Sequence, residues 1–331
     1  MSLVPFARRH LQEELPTIAP EVARALDADS FLLCRRYLGS AAVFADRSGR
    51  PAVVYKMVAE ADLNPFFEHG VASARKAQLQ GIPIQPIYGA GIFRGRAYLI
   101  LGWVPGMPLQ HNRGGPPCDE AQLMRAVEAV NRLHAATRQD ADAVDLAPLE
   151  TRLAWWSDLL SPPYGMPASL RRTIDEIRED LRTGMRRLPA VVMHGDYSAV
   201  NLIEADGGLT LVDWELALPV GLPLIDLACL LLQHQVHASG QGHGAAFRSC
   251  FLDATPHARM CWAIIRDYAE RLGLCEESLP LLLAATQMKL VAEDRHYRLL
   301  HEGPSSGVER IPGDLAVLEE FLSQPLAHAN R

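Results

Sequence analysis

The pattern of hydrophobic and polar positions differs between the two parts of the chain. From about residue 31 to 101, short apolar runs separated by turn residues have the length and alternation of β-strands. From about residue 119 onward, apolar residues recur every three or four positions, which is typical of amphipathic helices. The pattern therefore predicts an α+β protein, with a small β-rich first part and a larger, mainly helical second part.

The β-rich part is expected to contain a hairpin and one helix. The turn DRSGR at 46–50 lies between two apolar runs, which predicts that both pair as strands. The segment 63–81 is expected to be a helix, with Asn64 as N-cap, Pro65 at the first helical position and Gly81 at the end. Further strands are expected at 84–90 and 96–101. Before residue 31, helical segments broken by Pro16 and Pro20 are expected.

The helical part opens with a clear start signal. Asp119 and Gln122 stand in capping-box positions before an amphipathic pattern that continues to residue 138. Further helices are expected at 148–160, 167–187, 223–235, 256–272, 277–300 and 312–323. With 102–108 as the connection, the expected domains are residues 1–103 and 104–331.

Composition narrows the function classes. The 331 residues are 49% apolar and 21% charged, as in globular proteins, and the net charge of −7 argues against a nucleic-acid partner. The most apolar run, at 222–232, is too short to span a membrane, and no signal peptide is expected. Six cysteines without a CxxC pair, at 34, 118, 229, 250, 261 and 275, indicate free thiols rather than disulfides or a zinc site. We therefore expect a cytoplasmic protein with no membrane or nucleic-acid partner.

Lysine is rare in this chain. Of the 32 basic residues only three are lysines, namely Lys56, Lys76 and Lys289. Lys56 falls inside a predicted strand, and the compact ammonium of lysine is not interchangeable with the planar guanidinium of arginine. This position is therefore a candidate for a specific role, although chance accounts for it equally well.

Polar residues interrupt the apolar stretch at 190–219. A turn at 205–208 between two short apolar runs predicts a hairpin, which places Asn201 opposite Asp213 at its open end. Their oxygens suit Mg²⁺, and Asp196 lies in the loop just before them. The alternative is a hairpin whose polar ends face solvent, but three acceptors converging on one point favour the magnesium site.

The motif in this stretch resembles a known family. The spacing from His194 through Asp196 to Asn201, followed by Asp213-Trp214-Glu215, is similar to that of the aminoglycoside phosphotransferase and choline kinase superfamily. The resemblance extends from about 31 to 300 and includes NRLHAA at 131–136, ILGWVPG at 100–106 and the DLACLL segment that starts at Asp226. It implies a two-lobed, protein-kinase-like fold with a small β-rich N-lobe and a larger, mainly helical C-lobe.

The resemblance also implies roles for individual residues. Asp196 would accept the proton of the attacking hydroxyl, and Asn201 and Asp213 would bind Mg²⁺ at the phosphates of ATP. Lys56 would contact the α- and β-phosphates and be positioned by a helix carboxylate, with Glu68 as the candidate and Glu60 as the second choice.

Other implied roles concern the nucleotide and the loop. Gly39 and Ser40 would belong to a short nucleotide loop, and the backbone of Gly102, Trp103 and Val104 would face adenine. His194 would support the catalytic loop. Asp226 would accept hydrogen bonds from the backbone of that loop; an ordinary acidic residue at a helix N-terminus is the alternative.

The expected function is ATP- and Mg²⁺-dependent transfer of the γ-phosphate to a hydroxyl of a small molecule. Amino sugars, amino alcohols and sugars all remain open as acceptors, and so does the oligomeric state. Glu293 and Asp294 are candidates for meeting an amino-bearing acceptor. A protein-substrate kinase is disfavoured because only twelve residues separate Asp213 from Asp226. A nucleotide-binding pseudokinase scaffold is the other alternative.

The histidines of the second part raise the alternative of a zinc site. His234, His237 and His243 have a spacing that suits a metal, but no carboxylate or cysteine completes a recognised pattern. Surface histidines are therefore expected.

Overall fold

The chain forms two compact units. The structure, a computed structural model, describes residues 3–35, 38–110, 117–160, 167–205, 208–302 and 311–323. The first unit comprises Met1–Met107 and Ile203–Ala217, and the second comprises Pro108–Leu202 and Leu218–Arg331. The first unit is β-rich and the second is mainly helical, so the predicted α+β class is confirmed.

A five-stranded antiparallel sheet forms the centre of the first unit. Its strands lie in the order β1-β2-β3-β5-β4. They are β1 (Leu26–Arg35), β2 (Gly39–Asp46), β3 (Pro51–Val58), β4 (Ile87–Phe93) and β5 (Arg96–Gly102). The predicted hairpin corresponds to β2 and β3, and β1 begins five residues earlier than the sequence predicts.

Helices cover both faces of this sheet. Leu11 and Leu15 of α1 (Leu3–Ile18) pack with Tyr55 on one face, while Lys56 points to the other face, where α3 (Asn64–Leu79) lies. The two faces follow from the two-residue period of a strand. Helix α1 continues through Pro16, which lies in its last turn, and the chain restarts at Pro20 as α2 (Pro20–Ala25).

The start of α3 differs from the prediction. Asn64 is the first residue of the helix rather than its cap, and Pro65 follows it. The Asn64 side chain instead donates to the carbonyl oxygen of Gly95 and accepts from the Ala97 N–H, at 2.8 and 2.7 Å. This tertiary contact ties α3 to the turn between β4 and β5, and it replaces the local cap that the sequence indicates.

The segment 203–217 belongs to the first unit, although the sequence analysis placed it in the helical domain. Leu211 exchanges backbone hydrogen bonds with Pro83 and Gln85, at 3.0 and 2.9 Å. Gly70 of α3 packs so closely on the Trp214 carbonyl that an added Cβ would lie 2.4 Å from its oxygen. These contacts join the segment to α3 and to the residues before β4.

Eight α-helices and one strand pair make up the described part of the second unit. Strands β7 (Val191–Met193) and β10 (Leu218–Gly221) pair antiparallel. The helices are α4 (Glu120–Thr137), α5 (Ala147–Leu160), α6 (Ala168–Gly184), α7 (Ile225–Ser239), α8 (His243–Phe251), α9 (Pro256–Leu272), α10 (Leu279–His301) and α11 (Ile311–Ser323). The remaining strands of the described residues are the short β6 (Met107–Pro108), β8 (Leu202–Ala205) and β9 (Gly208–Leu211).

Most of the helical predictions agree with the structure. The capping box of Asp119 and Gln122 is present at the start of α4. Helix α8 has no counterpart among the predictions; it follows a glycine-containing stretch, and its Gly244 N–H is bound by Asp314 of α11 at 2.9 Å. The turn residues 206–207 of the predicted hairpin lie outside the described residues. Throughout the described ranges, every helix is too short or too polar to cross a lipid bilayer.

Candidate active site

The loop between β7 and β8 is anchored on one buried carboxylate. Asp226, at the start of α7, accepts the His194 N–H at 2.6 Å and the Gly195 N–H at 2.9 Å. Gly195 has a φ of +82°, a left-handed conformation that glycine adopts without strain. The contact between Asp226 and the loop backbone, implied by the resemblance, is thus present.

A chain of hydrogen-bonded, buried polar groups holds the Asp226 carboxylate in place. His134 Nε2 lies 3.1 Å from the carboxylate, and its Nδ1 lies 2.6 Å from the Tyr268 hydroxyl, which also accepts the Leu224 N–H. Burial raises the pKa of Asp226, but hydrogen bonds from His134 and His194, together with the charge of His134, outweigh burial and leave this pKa below its ordinary value. The NRLHAA motif therefore has a physical role through His134, whereas no sequence signal indicated Tyr268.

Asp196 is held in a defined orientation by its own loop. Its N–H donates to His194 Nδ1 at 3.3 Å. The Asn201 amide nitrogen donates to both the Asp196 carbonyl oxygen and a carboxylate oxygen, each at 2.8 Å. Tyr197, which was not predicted as a site residue, donates its hydroxyl proton to the Ala126 carbonyl at 2.8 Å and fixes the loop to α4. The loop therefore presents a partly buried, positioned carboxylate.

A buried lysine lies on α10 near the catalytic loop. Lys289 Nζ donates to Glu293 at 2.6 Å, and Glu293 also accepts from the Trp156 indole at 3.1 Å. Burial lowers the pKa of Lys289, but attraction to Cys229, Glu293 and Asp196 outweighs it and raises this pKa. The sequence singled out Lys289 only by its rarity.

The two carboxylates suggested for an amino-bearing acceptor already have basic partners. Glu293 pairs with Lys289, and Asp294 pairs with Arg298 at 2.8 Å. A carboxylate that is neutralised within the protein attracts a ligand amine less strongly. These contacts weaken the argument for a cationic acceptor at this place.

Lys56 lies between two carboxylates in the first unit. Its Nζ is 2.5 Å from Asp213 Oδ1 and 2.5 Å from Glu215 Oε1. The lysine is 3% exposed, and Glu215 is also buried. Asp213 has a φ of +68°, a left-handed conformation that is rare outside glycine and is concentrated at functional sites. The rare lysine and the predicted metal ligand are therefore direct neighbours.

The predicted helix partner of Lys56 is wrong. Glu68 is exposed on α3, because the face of this helix that packs inward carries Phe67, Gly70 and Val71 instead. The second choice, Glu60, precedes α3 and lies 3.8 Å from Arg96. Glu215 takes the position of the carboxylate partner; its place in the Asp213-Trp214-Glu215 motif was the available signal.

The predicted nucleotide loop is the beginning of a strand. Gly39 and Ser40 open β2 and pair with Val58 and Met57 of β3. A Cβ on Gly39 would lie 2.1 Å from the Met57 carbonyl oxygen, so close strand packing is a sufficient reason for glycine there. Residues 36–37 lie outside the described residues.

Several backbone groups of the connecting segment already form hydrogen bonds within the protein. The Gly102 N–H donates to Pro86 at 2.8 Å, its carbonyl accepts from the Gln85 side chain at 2.9 Å, and the Trp103 N–H donates to Ala52 at 2.9 Å. Val104 is the remaining residue predicted to face adenine. Gln85, a buried residue that lines one small pocket with Lys56 and Glu215, was missed because an isolated glutamine carries no sequence signal.

These contacts define what each unit can do chemically. The first unit presents an ammonium beside a carboxylate in a strained turn, which suits phosphate and a hard cation. The second presents an oriented carboxylate that is able to accept a proton. Together they are the groups that phosphoryl transfer requires, since this reaction depends on positioning and charge rather than on covalent help from the protein.

A comparison with family models shows which enzyme family the chain belongs to. The model of the phosphotransferase enzyme family matches residues 56–259, which is more than half of the chain. The chain belongs to this family. It is a phosphotransferase of the small-molecule kinase class, whose acceptor is an alcohol group. The matched range contains Lys56, the catalytic loop and Asp226, as well as Asp213-Trp214-Glu215.

Several solved structures share the fold of this chain. An amicoumacin kinase, hAmiN, in complex with AMP-PNP, Ca²⁺ and amicoumacin, has a TM-score of 0.57 at 12% identity, over 97% of this chain and 96% of that one. A choline/ethanolamine kinase family protein from Mesorhizobium loti has 0.54 at 16%, over 99% and 97%. The macrolide 2'-phosphotransferase MphH from Brachybacterium faecium has 0.51 at 18%, over 91% and 98%. A comparison with curated protein sequences finds no match.

Proposed function

We propose that this phosphotransferase moves the γ-phosphate of ATP to a hydroxyl of a small molecule in the cytoplasm, with Asp196 as general base. The observation that carries the proposal is the construction of the catalytic loop. Asn201 bonds the Asp196 carboxylate directly, and Asp226 holds the preceding backbone N–H groups. This arrangement holds the carboxylate in a fixed orientation, as a general base requires.

The proposed reaction is an in-line displacement. The acceptor hydroxyl oxygen forms a bond to the γ-phosphorus while the bond to the bridging oxygen of ADP breaks. Asp196 accepts the hydroxyl proton, and ADP leaves with the electron pair of the broken bond. Lys56 stabilises the negative charge of the phosphates.

Asn201 and Asp213 are the proposed ligands of Mg²⁺. Both hydrogen bonds from Asn201 to Asp196 use its amide nitrogen, so its carbonyl oxygen is not needed to hold the loop. Asp213 offers a carboxylate at a conformationally strained position. Hard oxygen donors that leave room for water and phosphate fit the preference of Mg²⁺. When bound, the ion neutralises the phosphates during transfer.

The proposed acceptor is defined by its hydroxyl group rather than by its charge. Glu293 and Asp294 have basic partners, so we do not assign a cationic group to the acceptor. Proteins of similar fold are named for choline and ethanolamine, amicoumacin and macrolides. The proposed acceptor is a small molecule with a hydroxyl, and amino sugars, amino alcohols and sugars all remain open.

The test is a screen of ATP consumption against amino sugars, amino alcohols and sugars, with product mass as the second readout. A positive acceptor gains one phosphoryl group in proportion to the ADP formed. Asp196→Asn is expected to lower kcat about 100- to 10,000-fold, the usual contribution of a general base. Asp175→Asn, which alters an exposed carboxylate on α6, is the matched control and keeps full activity.

Two results contradict the proposal. If Asp196→Asn keeps the turnover of the wild type, the loop carboxylate is not the base. If the protein binds ATP but transfers phosphate to none of the panel, it acts as a scaffold, and labelling of added proteins in its place indicates a protein kinase.

A further inference from the structure

Three metal-ligating side chains meet in the second unit, outside the catalytic machinery. His257 Nε2 lies 3.6 Å from Cys250 Sγ and 3.6 Å from Cys261 Sγ. All three candidate ligand atoms lie within 4.8 Å of one another. We call these residues the Cys-His cluster. None of them has a role in the proposed phosphoryl transfer.

The helices place the Cys-His cluster by simple geometry. His257 and Cys261 are four residues apart on α9, so they lie on the same face, one turn above the other. The Thr255 side chain caps α9, and Pro256 is its first residue, which fixes where this helix begins. Cys250 comes from the last turn of α8, which packs against α9.

The distances match those of a tetrahedral zinc site. Zinc binds thiolate sulfur at about 2.3 Å and imidazole nitrogen at about 2.0–2.1 Å, so the sulfur–nitrogen edge of a tetrahedron is about 3.6 Å. Both measured edges have this length.

A shared ion accounts for the placement of both sulfurs around one imidazole nitrogen. One imidazole nitrogen has either one proton or one lone pair, so it forms one good hydrogen bond, yet two sulfurs stand at the same distance from it. Both thiols are fully buried, and His257 is partly buried. A divalent ion bound to both sulfurs would stabilise them as thiolates in this buried place.

We propose that Cys250, His257 and Cys261 form a site for a zinc-class divalent ion, with water as the fourth ligand. The ion joins the end of α8 to the start of α9 across the connection at 252–255. The spacing, with six and three intervening residues, contains no CxxC pair, which explains why the sequence predicted free thiols. His234, His237 and His243, which the sequence suggested, form no three-residue cluster in the described ranges.

The test measures metal directly, independently of kinase activity. Full-length protein purified without chelators is expected to carry about one zinc ion per chain by mass spectrometry, because the cluster offers one tetrahedral centre. Replacing the ion with Co²⁺ is expected to give the thiolate-to-cobalt charge-transfer band and the intense visible bands of a tetrahedral site. The double variant Cys250→Ser with Cys261→Ser loses both signals.

Two further variants separate loss of metal from loss of fold. His257→Ala changes a partly exposed ligand and is expected to weaken zinc at least tenfold in a chelator competition, with an unchanged circular dichroism spectrum. Cys275→Ser removes an exposed cysteine outside the cluster and keeps the metal content of the wild type. Equal metal content in all variants, an octahedral cobalt spectrum, or a disulfide between Cys250 and Cys261 in freshly purified protein overturns the proposal.

Discussion

At the scale of single residues, the partner of Lys56 is the most consequential finding. In protein kinases the corresponding lysine pairs with a glutamate of the helix that follows it. Here Glu215 supplies this carboxylate, two residues after the proposed magnesium ligand Asp213. A single short turn therefore sets the position of the lysine and of the metal ligand together.

This arrangement predicts different outcomes for two glutamates. Glu215→Gln removes one of the two carboxylates beside the buried Lys56, and we expect a loss of about 2 kcal/mol in the free energy of unfolding. Because the Lys56 ammonium is then displaced from its position between the two carboxylates, kcat/KM is expected to fall about 10- to 100-fold. Urea unfolding and steady-state kinetics measure the two effects.

Glu68→Gln is the matched control, because Glu68 is exposed on α3. We expect its unfolding free energy to stay within about 0.5 kcal/mol of the wild type, and its kcat/KM to stay within about twofold. If Glu68→Gln is the more damaging of the two, the helix glutamate positions Lys56 in solution and the structural assignment to Glu215 is incorrect.

The sequence was informative about functional residues that lie close together within one motif. The spacing from His194 to Asn201 and the following Asp213 led directly to the groups that the structure shows held in place. It was not informative about Tyr268 or Gln85, which act through tertiary contacts alone. Glu68 was chosen by helix position, but helix phase decides which residues face the sheet, and Phe67 and Gly70 do so.

At the scale of elements, the packing of α3 on the turn after β9 determines where Asp213 and Glu215 lie. Gly70 is the point of closest approach, since an added Cβ would lie 2.4 Å from the Trp214 carbonyl oxygen. Backbone atoms cannot rotate away as a flexible side chain can. The turn must therefore shift if this glycine acquires a side chain.

We accordingly expect Gly70→Ala to cost about 2 kcal/mol of unfolding free energy through overpacking, despite the higher helix propensity of alanine. The shift of the turn is expected to lower kcat/KM as well. Gly184→Ala, at the end of α6 with no atom within 4 Å of the added Cβ, is the matched control and is neutral or slightly stabilising. Equal effects of the two substitutions on thermal unfolding contradict close packing at Gly70.

Local signals predicted most elements, and tertiary contacts explain the exceptions. The capping box of α4 depends only on neighbouring residues, so the sequence located it correctly. The start of α3 and the existence of α8 depend on distant groups, the carbonyl of Gly95 in one case and Asp314 in the other. Such partners are adjacent only after folding.

At the scale of the whole molecule, the order of residues along the chain and the division into units differ. The first unit takes 203–217 from the middle of the chain, so it contains both Lys56 and Asp213, while Asp196 and Asn201 belong to the second unit. A boundary near residue 103 was predicted from the connecting segment. The return of the chain to the first unit follows from the contacts of Leu211 and Trp214, which have no sequence signature.

The proposed nucleotide and magnesium roles predict a ligand-dependent thermal shift of the whole protein. A ligand at 100 times its Kd stabilises the folded state by about 2.7 kcal/mol, which raises Tm by several degrees in a protein of this size. We expect ADP alone to raise Tm and Mg²⁺ with ADP to raise it further. In Asp213→Asn the increment from ADP persists and the additional increment from Mg²⁺ is lost, because an amide does not offset the charge of the ion.

The readout is a difference within each variant, so a change in intrinsic stability from the lost partner of Lys56 cancels. Asp175→Asn, with an exposed carboxylate on α6, keeps both increments and serves as the control. Scanning fluorimetry with and without Mg²⁺ measures both increments in the wild type and in each of the two variants. An Mg²⁺ increment of equal size in Asp213→Asn and in the wild type contradicts the assignment of Asp213 as a metal ligand, whereas loss of the ADP increment as well shows that this carboxylate also organises the phosphate site around Lys56.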